Sequence, residues 1–368
     1  MLPTRMLLLM ALAGLLPAPG LCQHESQTVP VPSDPLELAT GPIQLVDTPE
    51  GRAAALKLFE LARDNYRLQS AGLGYELKVS FLVDSGGHTQ HDGAWKMEDT
   101  FAPGLGLRWT ATSAAGYATT RIDANGLHYA DGTSDGIPLA LHEARGALLG
   151  AMGEPATVDR QLIRTSTATL NGVELTCILR SDLDHVPVAA PGRGWEEIEE
   201  CIESQSGLLR MRSLVPGRYE LFDYTDAEDF HGHILPRKVT IIEAGKQVVK
   251  LQVDSLKDLS EPDPTLFVPT EQMRASGPAT VMAGAKRFSA LHDRGSVTTG
   301  STLQPVAVFG LLTPSGKIVD AHSLQPSDPR SEAAVKSAAA LKLPDGTSPG
   351  GTPQQREVVV IEKFASAQ

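Results

Sequence analysis

Alternation of apolar and polar residues is the most frequent pattern in the chain. Every second residue is apolar between Tyr75 and Val83 and again around Trp95 and Met97. A period of two predicts strands that bury one face. Further strands are predicted over residues 107–112, 117–123, 127–130, 161–170, 173–181, 195–203, 208–214, 218–223, 234–243 and 247–253. Because short turns join many of them, we predict one large antiparallel sheet, curved or closed.

Two segments with helical patterns accompany these strands. Thr48 can cap a helix that has Pro49 at its first position and Glu50 in its first turn. Its apolar stripe continues to about Tyr66, and a second helix is predicted to begin at Pro138. With so few helices and so many strands, the helices are expected to cover one side of the sheet.

The last quarter of the chain predicts a separate small unit. Residues 271–303 are rich in Ala, Gly, Ser and Thr without a clear period, and predict a linker with a short helix over residues 283–292. Residues 304–368 predict strands over 306–312 and 318–322, a helix capped by Asp328, and a final strand over 356–364. This order predicts a β-β-α-β domain whose final strand lies at the edge of its sheet.

The N-terminal residues have the anatomy of a secretory signal peptide. An arginine is followed by an apolar run over residues 6–16 and then by small residues. The run is shorter than the about 20 residues of a spanning helix. We therefore predict a signal peptide over residues 1–22, an extended leader over 23–47, and an exported, periplasmic protein without a membrane span. Lipidation of Cys22 is the less favoured alternative, since bulky Leu21 stands where a small residue belongs.

Two cysteines remain after removal of the signal peptide. Cys177 and Cys201 lie in strand-like segments, and an exported protein matures in an oxidising compartment. A disulfide between them is predicted, with two buried thiols as the alternative.

Charge and length narrow the function classes further. The net charge is −12 and no cluster of Lys and Arg occurs, which argues against partners such as nucleic acid or anionic membrane surfaces. A chain of 368 residues is too long for one typical domain, so two domains are expected.

Two fragments resemble catalytic motifs. Asp84-Ser85-Gly86-Gly87 matches the core of the trypsin-like nucleophile motif, but Val83 stands where Gly is needed, and a hairpin turn explains it. Residues 310–317 have five residues before Gly-Lys instead of the four of a phosphate loop, in a strand-turn-strand context. The sequence therefore predicts no enzyme, no catalytic residue and no cofactor.

His231 and His233 are the candidates for metal binding. Residues i and i+2 of a strand project to one face, so both imidazoles could reach one metal together with Glu228 or Asp229. The sequence supplies no second His pair or Cys-x-x-Cys motif. We therefore predict two solvated histidines at a strand entrance and no metal, with metal as the minority alternative.

Residues 48–270 contain the motifs "GAWKMEDTF", "DYTDAEDFHGHILPRKVTII" and "DPTLFVPT". In these motifs the segment resembles the outer-membrane lipoprotein carrier family, LolA and its relatives. The resemblance implies an α+β fold, a half-open antiparallel barrel with lid helices over an apolar cavity that holds a lipid or acyl chain. Inward strand residues could line such a cavity or fill a solid core. The candidates are Tyr75, Leu77, Val79, Phe81, Trp95, Met97, Trp109 and Met211.

Residues 304–368 follow the order strand, Ser-Gly-Lys turn, strand, alanine-rich helix, Lys342-Leu343-Pro344 and a last strand ending in Phe364. In this order the segment resembles the C-terminal domain of TonB-type energy-transducing proteins. This resemblance implies a docking module for envelope proteins. The combined expectation is a non-catalytic envelope protein that binds an apolar ligand. The alternative is an interaction or sensing module with a solid core and no ligand.

Overall fold

The computed structural model describes the chain from residue 42 onwards, with gaps. The described residues are 42–87, 89–132, 137–153, 158, 160–181, 193, 197–279, 281–291, 303–343 and 354–365. The predicted signal peptide with Cys22, most of the predicted leader and Pro344 lie outside them. Among the described helices, none has the length and apolar composition needed to cross a membrane.

A large open antiparallel sheet dominates the described residues. Its thirteen strands follow the order β1-β7-β8-β9-β10-β11-β14-β15-β2-β3-β4-β5-β6, so β1 and β6 form its two edges. This confirms the predicted α+β class with a half-open antiparallel sheet. The strands are β1 (Gln44–Leu45), β2 (Tyr75–Val83), β3 (Gly93–Ala102), β4 (Gly106–Ser113), β5 (Ala118–Ala124), β6 (Leu127–Gly132), β7 (Leu162–Leu170), β8 (Val173–Ser181), β9 (Ile198–Glu203), β10 (Leu209–Val215), β11 (Arg218–Asp223), β14 (Lys238–Glu243) and β15 (Lys246–Asp258).

Two helices cover one face of this sheet. Helix α1 (Pro49–Asp64) begins as predicted, with the Thr48 hydroxyl accepting a hydrogen bond from the Gly51 amide. Helix α2 (Leu139–Leu149) follows Pro138. Phe59 of α1 and Leu141 of α2 are fully buried and join the inward residues of β2, β3 and β4 in one core. The helices therefore act together as a cover for the sheet.

A second sheet has four strands. They are β16 (Val281–Leu291), β17 (Leu303–Leu312), β18 (Ile318–Ser323) and β19 (Gln354–Ala365). Their order is β16-β19-β17-β18. A short helix α3 (Glu271–Ser276) precedes the sheet, and helix α4 (Ser331–Ala340) packs Ala334 and Ala338 against one of its faces. The predicted β-β-α-β order is present, with one additional strand.

Three predictions about this region are wrong. Residues 281–291 form a strand instead of the short helix of a linker, because parallel pairing with β19 supplies their backbone hydrogen bonds. For the same reason β19 is not an edge strand, since it lies between β16 and β17. Helix α4 begins at Ser331, because the Asp328 carboxylate accepts from the Arg330 amide and pairs with the Arg330 guanidinium in the preceding turn.

The small sheet contacts the main sheet through its face opposite α4. Ala307, Phe309 and Ile361 pack against Leu139 of α2 and Leu214 of β10. The Arg218 guanidinium lies 4.4 Å from the centroid of the Phe309 ring. The small sheet is thus placed between its own helix and the main sheet. The domain boundaries assigned from the sequence stay a prediction.

Candidate functional site

A cleft of about 450 Å³ lies between α2, strands β4 to β6 and strand β19. Its lining combines apolar and charged residues. The apolar part includes Trp109, Ile137, Leu141, Leu149 and Leu214, and the charged part includes Arg121, Asp123, Arg145, Arg180, Arg212 and Glu357. Such a mixed lining suits a ligand with an apolar body and a polar end.

Strand register brings the charged residues around the Trp109 ring. Asp99 of β3 lies directly opposite Trp109 of β4, and Trp109 lies directly opposite Arg121 of β5. The Arg121 guanidinium is 5.6 Å from the Trp109 ring centroid, and the Arg145 guanidinium of α2 is 5.1 Å from it. Both distances are typical of cation–π contacts.

Arg145 is held by a chain of buried hydrogen bonds. Its Nε donates to the Asp99 carboxylate over 2.9 Å, and the Tyr75 hydroxyl donates to the same carboxylate over 2.8 Å. Gln69 donates in turn to the Tyr75 oxygen over 2.8 Å. Burial, together with the negative charge of Asp99, raises the pKa of Tyr75 well above its usual range. Tyr75 therefore stays protonated and can donate, and the charge of Arg145 is balanced.

The charge and the hydrogen-bond donors of Arg121 are less well compensated than those of Arg145. The Arg121 Nε is buried and has no hydrogen-bond partner in the described part of the chain. Burial lowers the pKa of Arg121 and the nearby charge of Arg145 acts in the same direction, whereas Tyr117 and Asp123 oppose this. An unsatisfied buried donor carries a free-energy cost, so an added acceptor at this place would stabilise Arg121.

Neutral groups face the small-sheet side of the cleft. His142 Nε2 lies 3.6 Å from a carboxylate oxygen of Glu357 on β19. Burial and the positive charges of Arg145 and Arg212 lower the pKa of His142 to about 3. Burial raises the pKa of Glu357 to about 8, with Glu143 acting in the same direction. At neutral pH this contact therefore joins a neutral imidazole to a largely protonated carboxyl, although its distance would fit an ion pair.

Buried ion pairs continue from the cleft towards the small sheet. Arg180 pairs with Glu200 at 2.7 Å, and Arg212 pairs with Glu220 at 2.6 Å. Further along, Arg218 pairs with both Glu143 of α2 and Glu243 of β14.

His322 of β18 extends these ion pairs into the small sheet, because its Nε2 lies 2.8 Å from a Glu243 carboxylate oxygen. Burial opposes protonation of His322, but the hydrogen bond and charge of Glu243 outweigh it and raise its pKa. A polar contact therefore joins the two sheets.

The predicted cavity residues are all buried, but they divide between the two faces of the sheet. Trp109 lines the cleft, and Tyr75 reaches it through Asp99. Leu77, Val79, Phe81, Trp95 and Met97 share the core beneath the helices with them. Phe81 and Trp95 stack there with ring centroids 5.5 Å apart. Met211 belongs instead to the cluster around the cysteines. Whether these residues line a ligand cavity stays a prediction.

The predicted disulfide is confirmed. Cys177 of β8 lies directly opposite Cys201 of β9, and their sulfurs are bonded. In the part of the chain that the structure describes, the one group of potential metal ligands is Cys177, Glu199 and Cys201. Its two sulfurs are already joined to each other.

His233 begins a short strand and His231 precedes it, so the two histidines lie at a strand entrance. The expected strand over residues 234–243 is interrupted before Lys238. His231 and Gly232 instead form the turn between two short strands, β12 (Asp229–Phe230) and β13 (His233–Ile234). His231 Nε2 lies 3.7 Å from Asp258, whereas His233 Nδ1 lies 2.7 Å from the backbone oxygen of Asp64. The two imidazoles therefore face different partners.

The two rejected motifs are turns, as predicted. Asp84 to Gly87 lie between β2 and β3, where the Ser85 hydroxyl donates to Asp92 over 2.6 Å. Residues 313–317 connect β17 to β18. Asp99 and Arg121 are cleft residues that were not predicted from the sequence. Their signal was available, because each carries a charge at an inward position of an alternating strand.

Comparisons with known proteins gave distant structural likenesses only. No family model and no curated protein matches the chain. A LolA superfamily protein from Nitrosomonas europaea is similar, with 10% identity, a TM-score of 0.37, and coverage of 58% of this chain and 97% of that one.

Two other solved chains show weaker likeness. For the complex of MucA and MucB from Pseudomonas aeruginosa, the identity is 10%, the TM-score is 0.27, and the coverage is 69% of this chain and 70% of that one. For LprF from Mycobacterium bovis the corresponding values are 14%, 0.24, 59% and 98%. These likenesses concern the fold alone, and the low TM-scores leave the family of this chain as a prediction from its sequence.

Proposed function

We propose that the chain is an exported, non-catalytic binding protein of the cell envelope that holds a lipid or acyl chain in the cleft beside α2. The observation that carries this proposal is the cleft of about 450 Å³ with Trp109, Leu141 and Leu149 in its wall. Each methylene moved from water into such a wall contributes about 0.8 kcal/mol. A chain of several carbons can therefore offset the cost of association.

Two sequence features support a role in the envelope. The N-terminal residues have the pattern of a signal peptide, and the bonded pair Cys177 and Cys201 is the kind of crosslink that persists in oxidising compartments. The resemblance to lipoprotein carriers adds the expectation of acyl chains as cargo.

Lipid content and fatty-acid uptake test the proposal. Organic extracts of the purified protein should contain lipid by mass spectrometry, and the delipidated protein should take up a fluorescent fatty acid. Leu149→Trp should fill part of the cleft and weaken uptake. Leu266→Trp is the matched control, since Leu266 is exposed and does not line the cleft. An empty extract together with no uptake by the delipidated protein would exclude this function.

A protein-interaction or sensing module is the second candidate. It is favoured by the dense packing of Phe81, Trp95 and Met97 in a continuous core. The small sheet would be the docking module that its resemblance to TonB-type domains implies. Because the face bearing Phe309 already packs on the main sheet, a partner would have to bind another surface. A solid core predicts no uptake and no change of melting temperature with fatty acid.

A further inference from the structure

We infer that the cleft selects ligands with an anionic head group, which the Arg121 and Arg145 guanidinium groups would bind beside the Trp109 ring. This inference rests on the proposed binding function and adds the chemical class of its ligand. The class is a carboxylate or a phosphate monoester that carries an acyl or alkyl chain.

The distribution of charges around the cleft favours the binding of an anion beside Arg121 and Arg145. Arg145, Arg180 and Arg212 each have a carboxylate partner, in Asp99, Glu200 and Glu220 respectively. Asp123 lies 2.6 Å from His128 Nδ1. Arg121 remains without an ion-pair partner among the described residues, and its buried Nε lacks a hydrogen-bond acceptor.

The geometry favours a head group that has more than one acceptor oxygen. Two guanidinium groups contact one indole ring, and their like charges disfavour each other. A carboxylate or phosphate next to both would accept charge-assisted hydrogen bonds and reduce this repulsion. Burial, together with the positive charges of Arg145 and Arg212, lowers the pKa of His142 and keeps it neutral. Among the described residues that line the cleft, the two remaining acids are Asp123, beside His128, and Glu357, which is largely protonated at neutral pH.

The apolar chain of such a ligand would lie against the apolar wall of the cleft. Leu141 and Leu149 of α2, Ile137 before it and Leu214 of β10 form the apolar wall of the same cleft. The head group would lie at the β4–β5 side of the cleft and the chain along α2. This arrangement resembles the way in which binding pockets combine a large apolar area with a few polar groups that fix orientation.

Three probes with the same alkyl chain test the inference: dodecanoic acid, its methyl ester and dodecyl phosphate. Each is titrated into the delipidated full-length protein by calorimetry. We expect at least one of the two anions to bind about ten- to a hundredfold more tightly than the ester, as for a charge-assisted hydrogen bond. Comparison of the acid with the phosphate then identifies the preferred head group.

The variant Arg121→Gln tests the assigned residue. We expect it to reduce anion affinity about tenfold or more while leaving ester affinity unchanged. Arg108→Gln is the matched control, because Arg108 precedes Trp109 in β4 and its side chain projects to the opposite face. The control should bind all three probes like the unaltered protein.

The possible results separate the two proposals. Equal binding of ester and anions by the unaltered protein overturns the head-group inference but leaves the binding function standing. Equal weakening of ester and anion by Arg121→Gln overturns the role of Arg121. Binding of none of the probes overturns the proposed function as well. If Arg121→Gln does not fold, the comparison of anions with ester in the unaltered protein still decides the head-group preference.

Discussion

The two arms of the long sheet differ in whether one or both of their faces are buried. In the arm formed by β2 to β6, strand β2 alternates between buried residues and residues that are partly or fully accessible. In the arm formed by β7 to β11, strand β10 is buried at almost every position. One arm therefore has a single covered face, whereas the other is covered on both faces at β9 and β10.

This difference explains where most of the buried charges lie; within the first arm, Asp99 of β3 is buried and pairs with Arg145. A strand with one exposed face can place its charged residues in water, as β3 does with Lys96 and Glu98. A strand that is covered on both faces must neutralise its charged residues. The second arm does so with cross-strand pairs such as Arg212 with Glu220 and Arg180 with Glu200. Such pairs add little net stability, but losing one partner is costly.

The largest effect is expected from breaking one of these pairs. Arg164 and Glu197 are almost fully buried and are joined by two hydrogen bonds of 2.7 and 2.5 Å. Arg164→Met removes the guanidinium that pairs with the buried Glu197 carboxylate. We expect a loss of about 3–5 kcal/mol in the free energy of unfolding, measured by urea denaturation.

The double variant Arg164→Met/Glu197→Leu is the control for that loss. Removing both charges together should restore most of the stability, because apolar residues of similar volume often replace a buried pair without a penalty. If the double variant is as unstable as the single one, the loss comes from packing rather than from an unpaired charge.

The disulfide offers a second way to test the covered arm. Cys177→Ala/Cys201→Ala removes a crosslink across 24 residues of sequence separation. We expect a loss of about 3 kcal/mol in the free energy of unfolding, measured by urea denaturation under oxidising conditions. Reduction of the unaltered protein should lower stability by a similar amount. A stability that does not change on reduction would mean that the crosslink does not constrain the unfolded chain.

The sequence predicted the local features of both arms better than their long-range contacts. The alternation in β2, the cap at Thr48 and the pairing of Cys177 with Cys201 each follow from a few neighbouring residues or from residue type. Strand β16 was missed because parallel pairing with β19, far away in the chain, determines its structure. The charged lining of the cleft was missed because Asp99, Arg121 and Arg145 come from three separate elements whose arrangement no local pattern specifies.

A pH-dependent effect is expected from Glu357, where the small sheet meets the cleft. Its carboxyl has an ordinary pKa of 4.5 and a raised pKa of about 8 in the folded protein. The folded state therefore keeps a proton that the unfolded state has released, and stability falls as pH rises from about 4.5 to about 8. Glu357→Gln should remove this contribution.

Urea denaturation of both proteins at several pH values measures this contribution. The stability of the unaltered protein minus that of Glu357→Gln should decrease between pH 5 and pH 8 and then level off. Taking the difference largely cancels the titration of His142 and His322, which both proteins retain. A difference that stays constant with pH would show that Glu357 is ionised in the folded protein.

The smallest effect is expected on the accessible face of the first arm. Lys78 of β2 lies 3.2 Å from Glu76 and 3.8 Å from Glu98, and its side chain is exposed. Water solvates all three charges, so removing one leaves no buried charge behind. Lys78→Ala should leave the urea midpoint unchanged within error, as should the control Lys96→Ala on the same face. A loss comparable to that of Arg164→Met would mean that this face is covered in solution, and the contrast between the two arms would then disappear.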